Sequence, residues 1–324
     1  MDGLGAWGIT ARVNTILGAG GPIAEGLAVE LRRRGCRDLR LVSRTPRKVD
    51  AADALFAADL MDAERTLDAV RGSDTVYFTA GLPPVAAIWE RQFPVMLENA
   101  LAATRQAGAR FVFFDNTYMY PQDGRPLTEQ TPFQPVGRKG RVRAAMASRL
   151  VEEMARGDIP VLIARAPEFY GPGRTRSFTH AFIIDPLKAG RKPRVPVRDD
   201  TLRTLIWTPD ASRAVAILGE DPQAYGQTWH LPCDDARLTY RQFVTLAAEV
   251  FGRRPAYTVF GKWAMTAGGL TSRPLREMRE LLPRYAHDNV FDSSKFKRRF
   301  PDFAVTTYRD GLCAIRAGQD GGPG

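Results

Sequence analysis

The sequence predicts an α/β fold: a doubly wound parallel sheet covered by helices on both faces, with a smaller mixed lobe toward the C-terminus. Three observations predict it. Up to Tyr170, short apolar runs alternate with amphipathic helical stretches, as expected of strands buried on both faces by crossover helices. The run Val13-Asn14-Thr15-Ile16-Leu17-Gly18-Ala19-Gly20-Gly21-Pro22-Ile23-Ala24 passes from an apolar strand through glycines into a helix. After Tyr170-Gly171-Pro172-Gly173 the alternation fails, and prolines and basic residues dominate 186–198.

Strands are expected at 15–17, 39–43, 54–57, 75–79, 110–114 and 161–165. The first helix, 23–34, carries Ile23, Leu27, Val29 and Leu31 on an apolar stripe and stops at Gly35. The longest helix, about 87–107, contains Pro94, so a kink or a broken first turn is expected there. Another, about 142–156, stops at Gly157. A late strand near 227–231 is expected to return to the sheet. The division that follows is a dinucleotide-type domain over 13–170, completed by about 204–232, a lobe from 171–203 and 233–315, and flexible ends at 1–12 and 316–324.

At 324 residues the chain can bury a sizeable core. No apolar run reaches the ~18 residues that a membrane span needs. Met1 to Arg12 lack a basic start and an apolar stretch, so no secretory signal is expected. Cys36, Cys233 and Cys313 are widely separated and His180, His230 and His287 isolated, with no metal-ligand spacing, which points to a reduced, cytoplasmic setting without a metal. The net charge of +10 is spread over several clusters, without an aromatic or groove-reading motif, so neither nucleic acid nor membrane is expected as a partner.

Glycines let the backbone turn sharply and come close to a ligand, while free N–H groups at a helix start attract negative charge. Pro22 suits the first turn, where its missing N–H costs nothing. The spacing Gly18-x-x-Gly21-x-x-Ala24 therefore reads as a pyrophosphate cradle, with Gly20, Gly21, Pro22 and Ile23 at the anion and Ala24 as the small residue for helix-to-strand packing. A plain turn before a helix is the bland alternative.

With these features the chain resembles the extended, or atypical extended, short-chain dehydrogenase/reductase family, the NAD(P)-dependent epimerase/dehydratase group, over about 13–312. The resemblance is carried by the glycine loop, Ala58-Asp59-Leu60, Thr79-Ala80-Gly81, the Tyr120-Pro121 corner and Arg165-Ala166-Pro167-Glu168-Phe169-Tyr170-Gly171-Pro172-Gly173. It continues with Arg203 seven residues before Asp210, and Asp292-Ser293-Ser294-Lys295. It implies a Rossmann fold in which Asp59 and Leu60 flank an adenine and Ala80 and Gly81 pass beneath a ribose; a helix N-cap is the alternative for Asp59. It also implies a homodimer seam built from two long helices.

An acidic residue ending the second strand would bind a ribose 2′-hydroxyl, and a basic one a 2′-phosphate. Here Ser43-Arg44 is followed by Arg47 and Lys48, which favours NADP(H) over NAD(H), although Arg44 could be a plain surface arginine.

The family pattern also uses a Tyr-x-x-x-Lys pair, the ammonium lowering the tyrosine's pKa, and a Ser or Thr that orients the substrate. Aligned on Pro135-Val136-Gly137-Arg138-Lys139-Gly140-Arg141-Val142-Arg143, Lys139 takes the tyrosine position and Arg143 the lysine position, and Asn116 stands at the Ser/Thr position. An arginine cannot shuttle a proton but can hold cofactor ribose or phosphate. Candidate catalytic groups are Lys139, Tyr118 and Tyr120 as donors, Asn116 as a polariser and Glu168 as a base; Thr117, Glu168, Arg174 and Arg203 are candidate substrate contacts. The alternatives are a surface, purely structural or cofactor-contacting Lys139, a packing Tyr120, a Glu168 that caps a turn or pairs with Arg174 or Arg176, and an Arg203 paired with Asp199 or Asp200. The expected activity is an NAD(P)-dependent oxidoreductase on a small carbonyl, alcohol or sugar nucleotide. A silent NADP(H)-binding redox sensor and a non-redox epimerase, isomerase or eliminase are the alternatives.

Overall fold

The computed structural model describes residues 13–173, 175, 177–261, 277 and 280–320. The expected strands form one parallel sheet from β1 (Val13–Leu17), β2 (Asp38–Ser43), β3 (Ala54–Ala57), β4 (Ser73–Phe78), β5 (Arg110–Asp115) and β6 (Val161–Arg165). Gln227–His230 adds a seventh, parallel strand beside β6, Gln227 opposite Leu162. The spatial order, from that late strand, is β6, β5, β4, β1, β2, β3, so the direction of winding reverses between β1 and β4. In such sheets the ligand crevice opens at the carboxyl ends of the strands flanking that reversal.

Apolar side chains fill both faces. On one face α1 (Pro22–Arg33) lies beside the helix Thr208–Glu220; their contact is tight at Gly26, where a Cβ would come 2.6 Å from Ser212 Oγ. On the other lie α2 (Ala63–Val70), α3 (Ala86–Ala107) and α4 (Gly137–Arg156), over Phe78, Phe111 and Phe113. Two expectations are corrected. α3 runs through Pro94 without interruption, and α4 begins five residues before the expected 142, because its first turns bury Lys139, Gly140 and Arg143 as well as apolar side chains.

The remaining described residues form short pairs: Glu168–Tyr170 with Leu205–Trp207, Leu202–Arg203 with Leu238–Thr239, and Arg194–Pro196 with Thr258–Phe260. Tyr170, Trp207, Tyr240, Phe243, Tyr285 and Tyr308 make their own apolar cluster. The last helix continues to Asp320, although a frayed tail was expected from 316. The expected N-terminal segment 1–12 and the last four residues lie outside the described residues.

Gly18 shows how tightly β1 and β4 meet at the crevice. Its φ is +90°, and a Cβ would lie 2.3 Å from Ala80 Cα and 2.5 Å from Ala80 N. Gly18→Ala combines backbone strain with a backbone clash and should cost about 2–6 kcal/mol, read as a lower midpoint in urea. An unchanged midpoint would mean that this approach is not tight in solution.

Candidate active site

The glycine loop leaves β1 at the crevice. Gly18 N and Ala19 N donate to Val42 O at 2.9 and 3.0 Å, which ties the loop to β2. The N–H groups of Gly20, Gly21 and Ile23 meet no acceptor among the described residues, and Gly21 precedes Pro22 as the N-cap, with no side chain closing the helix end. Unspent donors and the positive end of α1 fit a pyrophosphate. Ala80 lies against Gly18, and Gly81 is exposed just beyond it.

Ser43 ends β2, its carbonyl accepting from Ala58 N at 3.0 Å. Arg44 follows, exposed and without a carboxylate partner among the described residues. The loop that carries it is closed by Asp53, which accepts from Val49 N at 3.0 Å, Asp50 N at 2.7 Å and Arg32 Nη2 at 2.8 Å. Asp59 is exposed and accepts from Met61 N at 3.0 Å, so the helix-cap alternative is corrected: the cap of α2 is Asp62, which accepts from Arg65 N. Leu60 is buried, and its carbonyl accepts from Asn99 Nδ2 at 2.9 Å.

Beneath the crevice runs a buried polar chain. Asp115 ends β5; its Oδ1 accepts from Arg143 Nη2 at 2.6 Å and Nε at 3.0 Å, and its Oδ2 from Arg165 Nε at 3.1 Å. Arg143 is wedged between the Phe93 and Phe113 rings, at 5.2 and 5.1 Å. Arg165 Nη1 donates to the Tyr120 hydroxyl at 2.6 Å, and that hydroxyl lies 2.7 Å from His230 Nε2. His230 Nδ1 lies 2.8 Å from Asp292 O, which can only accept, so the proton sits on Nδ1 and Tyr120 donates to Nε2. Burial, and then the Arg165 cation, push His230 well below its ordinary pKa, so the ring is neutral. Tyr120 is 1% exposed, with its hydroxyl committed to this chain and its pKa raised by burial.

Lys139 is fully buried. Its Nζ contacts Glu277 Oε2 at 2.5 Å, Glu277 O at 3.0 Å and Glu280 Oε2 at 3.3 Å. Burial works against ionisation of Glu277, but the donors Lys139 and Ala86 N hold its carboxyl below the ordinary value. The two residues that the sequence resemblance sets at the Tyr and Lys positions are thus both spent on carboxylates.

Glu168 is also satisfied. Oε1 accepts from Thr179 N at 2.9 Å and Thr179 Oγ1 at 2.8 Å, and Oε2 from the Tyr285 hydroxyl at 2.9 Å. Arg203 does not pair with Asp199 or Asp200, which bind Arg241 and Arg198. It is buried over the Tyr285 ring at 4.6 Å, with Nη1 donating to Arg284 O at 2.8 Å. Arg174 and Arg176 lie outside the described residues.

What remains uncommitted is the stretch just after β5. Asn116 Oδ1 accepts from Tyr118 N at 2.9 Å, which leaves its Nδ2 without an acceptor among the described residues. Tyr118 stacks on Trp89, centroids 6.0 Å apart and 11° between planes, and its hydroxyl has no partner among the described residues. Thr117 Oγ1 accepts from Arg284 Nη2 at 2.7 Å.

Sequence reasoning assigned no role in the site to Asp115, Arg165, Trp89, Glu277, Glu280 or Arg284. Two of them carried a signal. Asp115 and Arg165 each end an apolar strand with an opposite charge, and they fall opposite one another in the parallel register.

A doubly wound sheet with a glycine loop at its first crossover and a crevice at the winding reversal defines a dinucleotide-binding α/β protein. The chain belongs to the NAD dependent epimerase/dehydratase family, whose profile matches residues 15–230. Uncharacterized protein y4nL of Sinorhizobium fredii (strain NBRC 101917 / NGR234) is 26% identical over 157 residues, 47% of this chain. The match covers only 43% of that relative's length. Among solved structures, MoeE5 in complex with UDP-glucose and NAD is similar with a TM-score of 0.74 at 21% identity, covering 95% of this chain and 98% of that one. The UDP-glucuronic acid 4-epimerase from Bacillus cereus in complex with NAD is similar with a TM-score of 0.76 at 14% identity, covering 96% and 99%. At these identities the likeness is one of fold. Among the described residues, no helix is long and apolar enough to cross a membrane.

Removing the charge of Asp115 strands two buried guanidinium groups. Asp115→Asn should lower stability by about 3–5 kcal/mol in urea unfolding, and a loss below about 1 kcal/mol, the scale of an exposed pair, would show that the arginines find other partners.

Proposed function

We propose that this chain is an NAD(P)-dependent oxidoreductase of the epimerase/dehydratase type, acting on a small carbonyl or alcohol of sugar-nucleotide-like kind, with NADP(H) favoured over NAD(H). The observation that carries the reading is the crevice itself: N–H donors at the start of α1 beside the Gly18–Ala80 contact, and a phenol after the neighbouring β5, none of them with a hydrogen-bond partner among the described residues. Family membership supports the cofactor class, and the sugar-nucleotide and NAD complexes of the structural neighbours support the substrate class by analogy. Arg44 supports NADP(H), as a free planar fork of donors with no carboxylate competing at the strand tip.

When bound, the nicotinamide supplies or accepts the hydride. Tyr118 is the proton donor in this reading, since the Lys139 ammonium and the Tyr120 hydroxyl are held by internal partners. Burial raises the Tyr118 pKa, so the phenol is protonated at neutral pH and suited to give a proton to a carbonyl oxygen. Asn116 Nδ2 is available to polarise that carbonyl. The cofactor contacts are Gly18, Gly20, Gly21, Pro22, Ile23, Ser43, Arg44, Asp59, Leu60, Ala80 and Gly81; Arg143 supports the floor through Asp115. A cytoplasmic homodimer with a small-molecule substrate completes the proposal.

A silent NADP(H)-binding redox sensor is the second reading, favoured by the commitment of both Lys139 and Arg143 to carboxylates.

Titration calorimetry should detect NADPH binding, and its absence at millimolar concentration would remove the cofactor from the proposal. Arg44→Asp should weaken NADPH by about ten- to a hundredfold and shift preference toward NADH. Unchanged selectivity would make Arg44 a plain surface residue. Tyr118→Phe should lower kcat by about a hundredfold or more with NADPH affinity retained. Full activity in that variant would exclude the phenol, and no turnover by the unaltered protein across a carbonyl panel would favour the sensor.

A further inference from the structure

Two buried cations, Arg203 and Arg284, have no carboxylate partner among the described residues, and Arg284 is the one that lies against Thr117 and Tyr118. Lys139 is held by Glu277 and Glu280, and Arg143 and Arg165 by Asp115. Arg284 is 7% exposed, has no carboxylate partner among the described residues, and leaves its Nε without an acceptor. Burying a guanidinium without a counter-charge is unfavourable, so a position that keeps one gains something else from it. Its neighbours indicate what. The guanidinium carbon lies 4.9 Å from the centre of the Tyr118 ring, and Nη2 donates to Thr117 Oγ1 at 2.7 Å. Tyr118 also stacks on Trp89, itself anchored by Nε1 donating to Pro83 O at 2.8 Å.

We propose that Arg284 is the positioning residue of the candidate centre: it fixes Thr117 and Tyr118 and supplies beside the phenol a positive charge that no carboxylate among the described residues pairs with. The inference rests on the reading that Tyr118 gives up the proton. In reduction, a hydride from the dihydronicotinamide reaches the carbonyl carbon and the Tyr118 O–H proton reaches the carbonyl oxygen. The phenolate left behind sits next to Arg284 until it is reprotonated from solvent. A fixed cation at that distance favours the charged product of the step over the neutral phenol. The other charges that act on Tyr118 are Arg143, which also favours the phenolate, and Glu168 and Glu280, which oppose it. Arg143 shares the single Asp115 carboxylate with Arg165, and Arg284 is the cation that lies against the Tyr118 ring.

The test separates this coupling from the activity. The chain has nine tyrosines, so the protein is labelled with Cζ-¹³C tyrosine and the Tyr118 signal assigned by its loss in Tyr118→Phe. The cofactor-free full chain is then titrated by NMR from neutral pH to about pH 12, with the fold followed by circular dichroism. Arg284→Met should move the Tyr118 titration up by about one unit or more, a tenfold change, and Arg284→Lys should restore most of it. The alkaline limb of the kcat profile should move in the same order. The inference is overturned if Tyr118 titrates alike in Arg284→Met and the unaltered protein, if Arg284→Lys is displaced as far as Arg284→Met, or if the unaltered protein shows no Tyr118 ionisation up to about pH 12. Arg284→Gln serves in place of the Met variant should that variant not fold. Full activity in Tyr118→Phe would instead strike the parent reading, whatever the titration shows.

Discussion

A single carboxylate at the end of β5 organises the floor of the candidate site. Asp115 is buried and faces two guanidinium groups, one from α4 and one from β6. A buried charge persists when its counter-charges are fixed and its lone pairs are used, and here both oxygens are engaged. Through Arg165 the same carboxylate orders the Tyr120 hydroxyl and the His230 ring, and so joins β5, β6, the late seventh strand and the backbone at Asp292. Phe291 stacks on the His230 ring at 3.8 Å, which brings the late chain onto the sheet edge. The polar chain locks the strand ends that the crevice is built on.

That constraint redistributes the chemistry. In the family pattern, one helix supplies both a phenol and the cation that tunes it. The residues that the sequence resemblance sets at those positions, Lys139 and Arg143, are both held by carboxylates in this chain. Lys139 ties α4 to Glu277 and Glu280, and Glu277 also accepts from Ala86 N at the start of α3. The uncommitted polar groups lie one loop away, on 116–118.

The stretch 280–293 connects the two halves of the molecule. Arg284 reaches Thr117 and Tyr118, Tyr285 reaches Glu168, Asn289 N and O exchange hydrogen bonds with Leu202 and Thr204, and Leu127 N donates to Val290 O. Each contact spans a large separation in sequence. Tyr240 and Tyr285 stack beneath Arg203. A lobe arginine that resembles a ligand contact in sequence therefore lies in an aromatic and carbonyl cage.

The sequence by itself determined the sheet. Six strands, the glycine loop and the returning strand were legible because period, turn residues and helix stops are local properties, and local properties survive without a partner. Val161–Arg165 could be read as a strand from its own five residues. The site was legible only in part. The glycine loop, Arg44 and the 116–118 stretch stood out, whereas the roles of Lys139, Tyr120, Glu168 and Arg203 did not follow from their identities. What a charged or phenolic group does depends on which groups share its buried volume, and Glu277, Glu280, His230 and Tyr285 come from distant parts of the chain. Only the tertiary structure decided which side chains are neutralised and which stay free, because desolvation and pairing are set by packing and not by sequence neighbours.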